Sequence, residues 1–371
     1  MNSVAKAYNY DKQQMAEFEI EQIISNERDY TFVCGDSLEV LKKIPDETVN
    51  CVITSPPYWA LREYDVAEDS NVIGNETDFS DYVKKLTLIF NEIQRILTKE
   101  GSLWLNLGDK YHNKELLGLP WRVALALIDN GWILRNDVIW DQMKGTQSSK
   151  DRLRDVYEHI FHFVKRKNYY YAHDEIRIAP IKKPKVYNGE VVSATGVSGK
   201  KYRKQIEESN FLSEEEKRLA NQALSDILQE ISDGKLVDFR MTIRGEQRAF
   251  HSDNTKISGR AKELDTKGFY FIKMGANGHL PSDIWRIAPE DTWRKDAHYA
   301  VFPEELLINP IKATCPDNGI ILDPFSGTGS TVVTALKLNR RGIGIDLSEH
   351  YTDLAKQRIK QVNRPLYLKF L

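Results

Sequence analysis

Strand-and-helix alternation at both ends of the chain, broken by a middle of different character, constrains the fold more than any single motif. From about Asp29 to Tyr171, DYTFVCGD, NCVITS, GSLWLNLGD, WILRNDVIWD and EHIFHFVKR read as strands. Between them SLEVLKKIPDET, DFSDYVKKLTLIFNEIQRILTKEG and PWRVALALIDNG read as helices. In the longest of these, Tyr82, Leu86, Ile89, Phe90, Ile93, Ile96 and Leu97 recur at helical spacing and a glycine stops the run. The rhythm returns from Ala297 to about Val362, as GIILDPFSGTGS, STVVTALKLNR, RGIGIDL and SEHYTDLAKQRIKQV. Such alternation is the signature of βαβ units on a parallel sheet. The expected architecture is α/β, with one sheet built from both chain ends, residues 1–171 and 297–371, and residues 172–296 placed between them.

The middle holds one strong helix, LSEEEKRLANQALSDILQEISDG, and an Arg-rich segment, FRMTIRGEQRAFHSDNTKISGRAKE, with no internal repeat. It also hides a charge asymmetry inside a formal net charge of -2. Between Arg177 and Ile206 stand eight Lys or Arg against one acidic residue, Glu190. Such a stretch is either a solvated loop or a segment that lies along phosphates. The 371 residues suffice for a large domain with an insertion or for two domains, and 41% hydrophobic with 29% charged residues describes a soluble globular protein. No apolar run approaches a membrane span, and MNSVAKAYNYDKQQ has no signal-peptide core. Three cysteines, Cys34, Cys51 and Cys315, form no CxxC pair, so a reducing cytoplasm is the expected compartment and no metal site is expected.

LDPFSGTGS, Leu322 to Ser330, has the order strand, Gly-rich turn, helix of a ligand loop at the carboxyl edge of a parallel sheet. Gly327 and Gly329 would let the backbone approach a ligand where a Cβ would collide. Asp323 can accept a hydrogen bond or pair with a cation. The loop is not a phosphate P-loop, since GxxxxGK[ST] is absent and a carboxylate this close repels phosphate. Asp346 follows Gly327 by nineteen residues and ends its strand, where doubly wound folds place an acid on ribose hydroxyls. A cationic sulfonium ligand bearing an amino acid group suits this acidic lip better than NAD. Asp36 closes TFVCGD, where it either caps the helix SLEVL, contacts a ligand, or does both.

Six further residues, TSPPYW at Thr54 to Trp59, end the apolar stretch VNCVITS with two prolines and two aromatics. By itself this is a strand stopping in a rigid, aromatic-capped turn. Together with the loop above it resembles a family: the S-adenosylmethionine-dependent DNA amino-methyltransferases, in the permuted order with the catalytic motif first and the cofactor motif last. TSPPYW is similar to the family's [S/D/N]PP[Y/F] motif, and DPFSGTGS to its DPFxGxGT loop, with Ser330 where Thr is usual. HYAVFPEELL, GSLWLNLGD and YEHIFHFVK resemble its neighbouring segments. The resemblance implies a Rossmann-like S-adenosylmethionine-dependent methyltransferase sheet with a target-recognition region between its halves. It implies that Asp323, Phe325, Gly327 and Gly329 line the cofactor pocket, that Asp346 holds the ribose and Asp36 meets the adenine edge. Ser55, Pro56, Pro57 and Tyr58 are then catalytic.

The chemistry suits these residue types. An exocyclic base amine is a poor nucleophile because its lone pair is delocalised into the ring. The Ser55 hydroxyl and a backbone carbonyl, that of Pro56, can each accept one N–H and turn the lone pair toward a sulfonium methyl. Prolines fix φ and lack N–H, which leaves rigid acceptors. The base must be flipped out of the duplex, with Tyr58 as a stacking face and Trp59 behind it.

Within the family a Ser at the first motif position leans toward cytosine N4 and an Asp or Asn toward adenine N6; the same chemistry on adenine is the alternative. Carbon-5 methylation needs a Cys after Pro, whereas Cys315 precedes Pro316 and Cys51 lies mid-strand. An RNA or protein-glutamine methyltransferase, or a binding protein without catalysis, are the rival classes. Arg240, Arg244, Arg248 and Arg260 are candidates for guanine edges or phosphates. Trp285-Arg286 and Trp293-Arg294 either brace DNA or anchor the insertion, with anchoring favoured. The implied partners are double-stranded DNA and, at one remove, a cognate restriction endonuclease of a restriction-modification system. A homodimer is also allowed, and no membrane partner is expected.

Overall fold

The computed structural model describes residues 14–60, 72–143, 150–187, 190–245, 259–289 and 303–362. The chain divides into two compact units, Met1–Glu175 with Ser282–Leu371, and Ile176–Pro281. In the first, the strands are β1 (Tyr30–Cys34), β2 (Val49–Thr54), β3 (Leu97–Leu107), the small hairpin β4 (Tyr111–His112) and β5 (Glu115–Leu116), β6 (Ile133–Asp141) and β7 (Tyr157–Val164). A helix over residues 14–24 precedes β1, and α1 (Ser37–Leu41), α2 (Phe79–Ile96) and α3 (Leu119–Asp129) follow.

The second unit contains β8 (Lys185–Tyr187), β9 (Glu190–Val192), α4 (Gly199–Glu208), α5 (Glu214–Ser232), β10 (Leu236–Ile243), α6 (Gly259–Lys267) and β11 (Phe269–Gly275). The chain then returns to the first unit with β12 (Ile284–Arg286), α7 (Glu304–Thr314), β13 (Ile320–Asp323), α8 (Ser330–Lys337), β14 (Arg341–Asp346) and α9 (Glu349–Lys360).

Eight strands form one sheet in the order β1-β14-β13-β2-β3-β7-β6-β12. Strands β13 and β14 slot between β1 and β2, so the two ends of the chain share one sheet. All neighbours run parallel except β7, which is antiparallel to both β3 and β6. The wholly parallel sheet expected from the alternation is thus corrected at one strand: no helix joins β6 to β7 among the described residues, so β7 returns along its neighbour. β12 pairs with β6, which places Ser282 to Arg286 with the sheet rather than with the middle unit.

Period-two alternation splits the buried residues between the sheet's two faces. Leu103, Leu105 and Leu107 of β3 join Leu86, Phe90 and Ile93 of α2 in one core. Trp104 of the same strand, with Cys51 and Ile53 of β2, joins Leu307 and Ile311 of α7 in the other. The amphipathic stripe read from the sequence of α2 is the side it buries, and Asp78 caps that helix by accepting from Ser80 N.

The second unit has its own core, in which α4 and α5 pack Ile206, Leu224 and Ile227 against Phe239 and Met241 of the β10–β11 hairpin. Ser213 and Glu216 close a reciprocal capping box at the start of α5.

Candidate active site

The strand order gathers at one sheet edge residues that lie far apart in sequence. Asp36 follows β1, Asp346 closes β14, Asp323 closes β13, and Thr54 with Ser55 closes β2. Asn106 lies at the same end of β3, paired with Ile160. Because β7 is antiparallel, it enters from this edge, and Glu158 near its start is a diagonal neighbour of Asn106 on the same face. Winding reverses between β13 and β2, the switch point where doubly wound sheets hold ligands.

The Gly-rich loop is braced from within. Asp323, 2% exposed, accepts Thr54 Oγ1 at 2.7 Å and Phe325 N at 3.1 Å on one oxygen, and Thr331 Oγ1 at 2.7 Å on the other. Burial pushes its pKa up to about 6 in spite of these donors. Protein donors occupy both oxygens, and the carboxylate ties strand to loop. Phe325 is half-buried against the first core.

Asp346 accepts Gly327 N and Ser348 N, each at 2.8 Å, and burial raises its pKa. Its oxygens keep lone pairs for further donors. Asp36 is exposed, and its side chain accepts Glu39 N at 3.0 Å as the cap of α1.

The two glycines have different reasons. Gly327 has φ +49°, and an added Cβ would meet nothing within 4 Å, so the loop there faces open space. Gly329 has φ +81°, but a Cβ would come within 2.8 Å of the Phe32 ring and 2.9 Å of Ala355. At Gly329 packing inside the protein by itself requires glycine. A sulfonium nucleoside fits the remaining features: open space over Gly327 and an acid, Asp346, beside it able to take hydroxyl donors.

In the catalytic turn, Ser55 Oγ lies 3.3 Å from the Tyr58 hydroxyl and 3.4 Å from Asn106 Nδ2. Tyr58 donates to Glu158 Oε2 at 2.6 Å, and Asn106 Nδ2 reaches Tyr58 at 2.8 Å and Glu158 at 2.5 Å. Gln142 Nε2 donates to Glu158 Oε1 at 2.8 Å. The Tyr58 ring lies over Gly108, where a Cβ would come within 2.7 Å of it. Tyr82 donates to the Pro57 carbonyl at 2.9 Å, whereas no described donor takes the Pro56 carbonyl. Trp59 is buried, donates to Glu76 O at 2.8 Å and packs edge-on to Phe79 and His112. Lys110 donates to the Ala60 carbonyl. The turn is thus pinned from α2, β3 and β7 together. Sequence reasoning missed Glu158, Asn106 and Gln142: the first two lie in segments matched only as sheet strands, and Gln142 follows β6 with no motif around it.

In the second unit Arg244 donates to Phe211 O, Asp265 O and both oxygens of Glu216 at 2.8–3.1 Å. These bonds hold α5 to the hairpin. Arg240 and Arg260 are exposed. Arg248 and Trp293-Arg294 lie outside the described residues, as does the start of HYAVFPEELL. Trp285 lies against Trp104 of the sheet, 6.2 Å between ring centroids, and donates to Ser282 O, while Arg286 pairs with Asp141. Among the described residues no helix is long and apolar enough to cross a membrane.

Comparison with known proteins agrees with this geometry. Residues 49–357 match the family model described as DNA methylase, which covers the N6 and N4 enzymes. The type II methyltransferase M.SfiI of Streptomyces fimbriatus is 31% identical, over 87% of this chain and 89% of the relative. The type II methyltransferase M.SmaI of Serratia marcescens is 27% identical, over 90% and 92%. The solved PvuII DNA methyltransferase (cytosine-N4-specific) shares the fold with a TM-score of 0.53 at 16% identity, over 92% of this chain and 91% of that one. The chain belongs to the S-adenosylmethionine-dependent DNA amino-methyltransferases.

Proposed function

We propose that this protein methylates cytosine at N4 within a short duplex sequence, as the modification enzyme of a type II restriction-modification system. The observation that carries the choice of amine is Ser55, a neutral hydroxyl at the head of the catalytic turn and at the carboxyl end of β2. S-adenosylmethionine supplies an electrophilic methyl. Ser55 Oγ and the Pro56 carbonyl accept the two N–H groups of the flipped base and turn its lone pair outward. The Pro57 carbonyl, already taken by Tyr82, holds the turn in place. Tyr58 presents its ring to the base, and Trp59 stiffens the wall behind it. Asp346 accepts ribose hydroxyls, Asp36 sits at the adenine end, and the loop at Phe325 and Gly327 follows the rest of the nucleoside. Residues 176–281 read the target sequence, with Arg240 and Arg260 exposed for that purpose. The type II names of the relatives support placement beside a cognate endonuclease.

The test is to expose duplex DNA to the protein and S-adenosylmethionine, digest it to nucleosides and weigh them. N4-methylcytosine is expected. N6-methyladenine as the sole product overturns the cytosine assignment, and methylation of RNA with none of duplex DNA overturns the substrate.

A further inference from the structure

The side chains beneath Ser55 form a run of donors pointing one way. Ser55 donates to the Tyr58 hydroxyl at 3.3 Å, and Tyr58 donates to Glu158 at 2.6 Å. Asn106 and Gln142 also donate to Glu158, one to each oxygen. Every group that reaches this carboxylate is a donor, which is the environment of the ionised form. Among the described residues no Lys, Arg or His pairs with it. Glu158 is thus a half-buried carboxylate whose hydrogen-bond partners are all neutral, and the turn that holds the target base leads to it.

Methylation of an exocyclic amine creates a proton to dispose of. The nitrogen starts with two N–H bonds and a delocalised lone pair; once that pair has bonded to carbon, one N–H must break. We propose that Glu158 is the terminal acceptor of this proton, reached through Ser55 and Tyr58, an inference that rests on the DNA amino-methylation reading above. The N–C bond forms as the sulfonium S–C bond breaks, with that electron pair staying on sulfur. The amine proton passes to Ser55 Oγ, the Ser55 proton to the Tyr58 oxygen, and the Tyr58 proton to Glu158 Oε2. Both hydroxyls end neutral, the carboxylate becomes a carboxylic acid, and the cationic cofactor becomes a neutral thioether, so charge and atoms balance. Glu158 touches neither substrate nor cofactor; it acts through Tyr58.

The local electrostatics suit an acceptor. Burial raises the Glu158 pKa, with Asp155 adding to the rise and the bonds from Tyr58, Asn106 and Gln142 opposing it. Tyr58, whose own pKa is raised by burial and by Glu158, stays protonated and relays without ionising. The ionisable groups facing Glu158 are Tyr58 from the turn and Asp155 from its own approach, while Asn106 of β3 and Gln142 after β6 are neutral. The Ser55 to Tyr58 link is long, as catalytic hydrogen bonds often are before substrate tightens them.

The test compares wild type with Glu158→Gln, Glu158→Asp and Tyr58→Phe. Gln keeps the size and the acceptor for Tyr58 but cannot take the proton. Single-turnover methylation is expected to fall about 100-fold in Glu158→Gln, to lose its acid limb, and to recover in part in Glu158→Asp. Calorimetric affinities for S-adenosylmethionine and duplex DNA should stay at wild-type values. Tyr58→Phe combined with Glu158→Gln should be no slower than the slower single variant, since both cut one path. Difference infrared spectra of the unliganded protein, wild type minus Glu158→Gln, should show the carboxylic acid band of Glu158 vanishing within the working pH range.

Wild-type rate and pH profile in Glu158→Gln overturn the relay. A carboxylic acid band that persists across the working pH range does so as well, because the acceptor is then already filled, and this reading stands even if a variant fails to fold. Absence of methyl transfer to any DNA by the wild-type protein overturns instead the reading on which the relay rests.

Discussion

Thr54 Oγ1 donates to Asp323 Oδ1 at 2.7 Å, joining the last residue of β2 to the last residue of β13 across 269 positions of sequence. The catalytic turn begins one residue after the first, and the Gly-rich loop one residue after the second. β13 and β2 are paired in the sheet, and this buried hydrogen bond ties their ends together where the two loops leave them. Replacing Thr54 by Val keeps the shape and removes the donor. Asp323 is then left with one donor fewer, and the expected loss is about 1–3 kcal/mol of folding stability. Thermal unfolding of the variant measures it, and an unchanged midpoint would show that the bond does not hold the two loops.

The pH dependence of stability follows from the same carboxylate. Its folded pKa of about 6 lies above the ordinary Asp value of 3.8. The native state therefore binds more protons than the unfolded one between these values, and stability falls as pH rises through that window. The contribution is fully present below about pH 4 and lost above about pH 6, a change of order 2–3 kcal/mol. Denaturant midpoints of wild type and Asp323→Asn at pH 4 and pH 7 test the sign: wild type should lose stability relative to the variant on going up in pH.

The loop glycines should separate folding from binding. Gly329→Ala places a methyl 2.8 Å from Phe32 at φ +81° and is expected to cost about 2–4 kcal/mol in stability. Gly327→Ala meets nothing in the protein, so its fold should hold within about 1–2 kcal/mol for the positive φ while cofactor affinity drops. Equal loss of stability in the two variants would contradict the assignment.

Ser55→Ala should divide binding from chemistry. The side-chain partners of Ser55 are Tyr58 and Asn106, and neither belongs to the Gly-rich loop. Calorimetry should find S-adenosylmethionine affinity unchanged while turnover falls about 100-fold or more. Loss of cofactor binding in this variant would place Ser55 in the wrong half of the site.

Local chemistry makes part of this protein legible without coordinates. TSPPYW and DPFSGTGS announce themselves because proline and glycine are chosen for backbone reasons that any neighbour would respect. The stripe on α2 is likewise visible, since helical spacing is a property of consecutive residues. Asp36 shows both sides of the matter: its cap on α1 is local and readable, but a ligand contact is not. The contacts of Arg244 are hidden for the complementary reason, as its partners Phe211, Glu216 and Asp265 come from separate elements and leave no mark near it in sequence.

What the sequence by itself determined is the alternation at both ends, the Pro-Pro turn, the Gly-rich loop and, through them, the family. What only the tertiary structure decided is the company these motifs keep. Thr54 reaches Asp323 from a strand 269 positions away, and Glu158 reads as one polar residue in an apolar strand. Running β7 antiparallel to β3 brings Glu158 to the catalytic edge beside Asn106 and Tyr58. Strand direction and register are long-range properties, set by how whole faces bury their apolar residues, and no window of neighbouring residues encodes them.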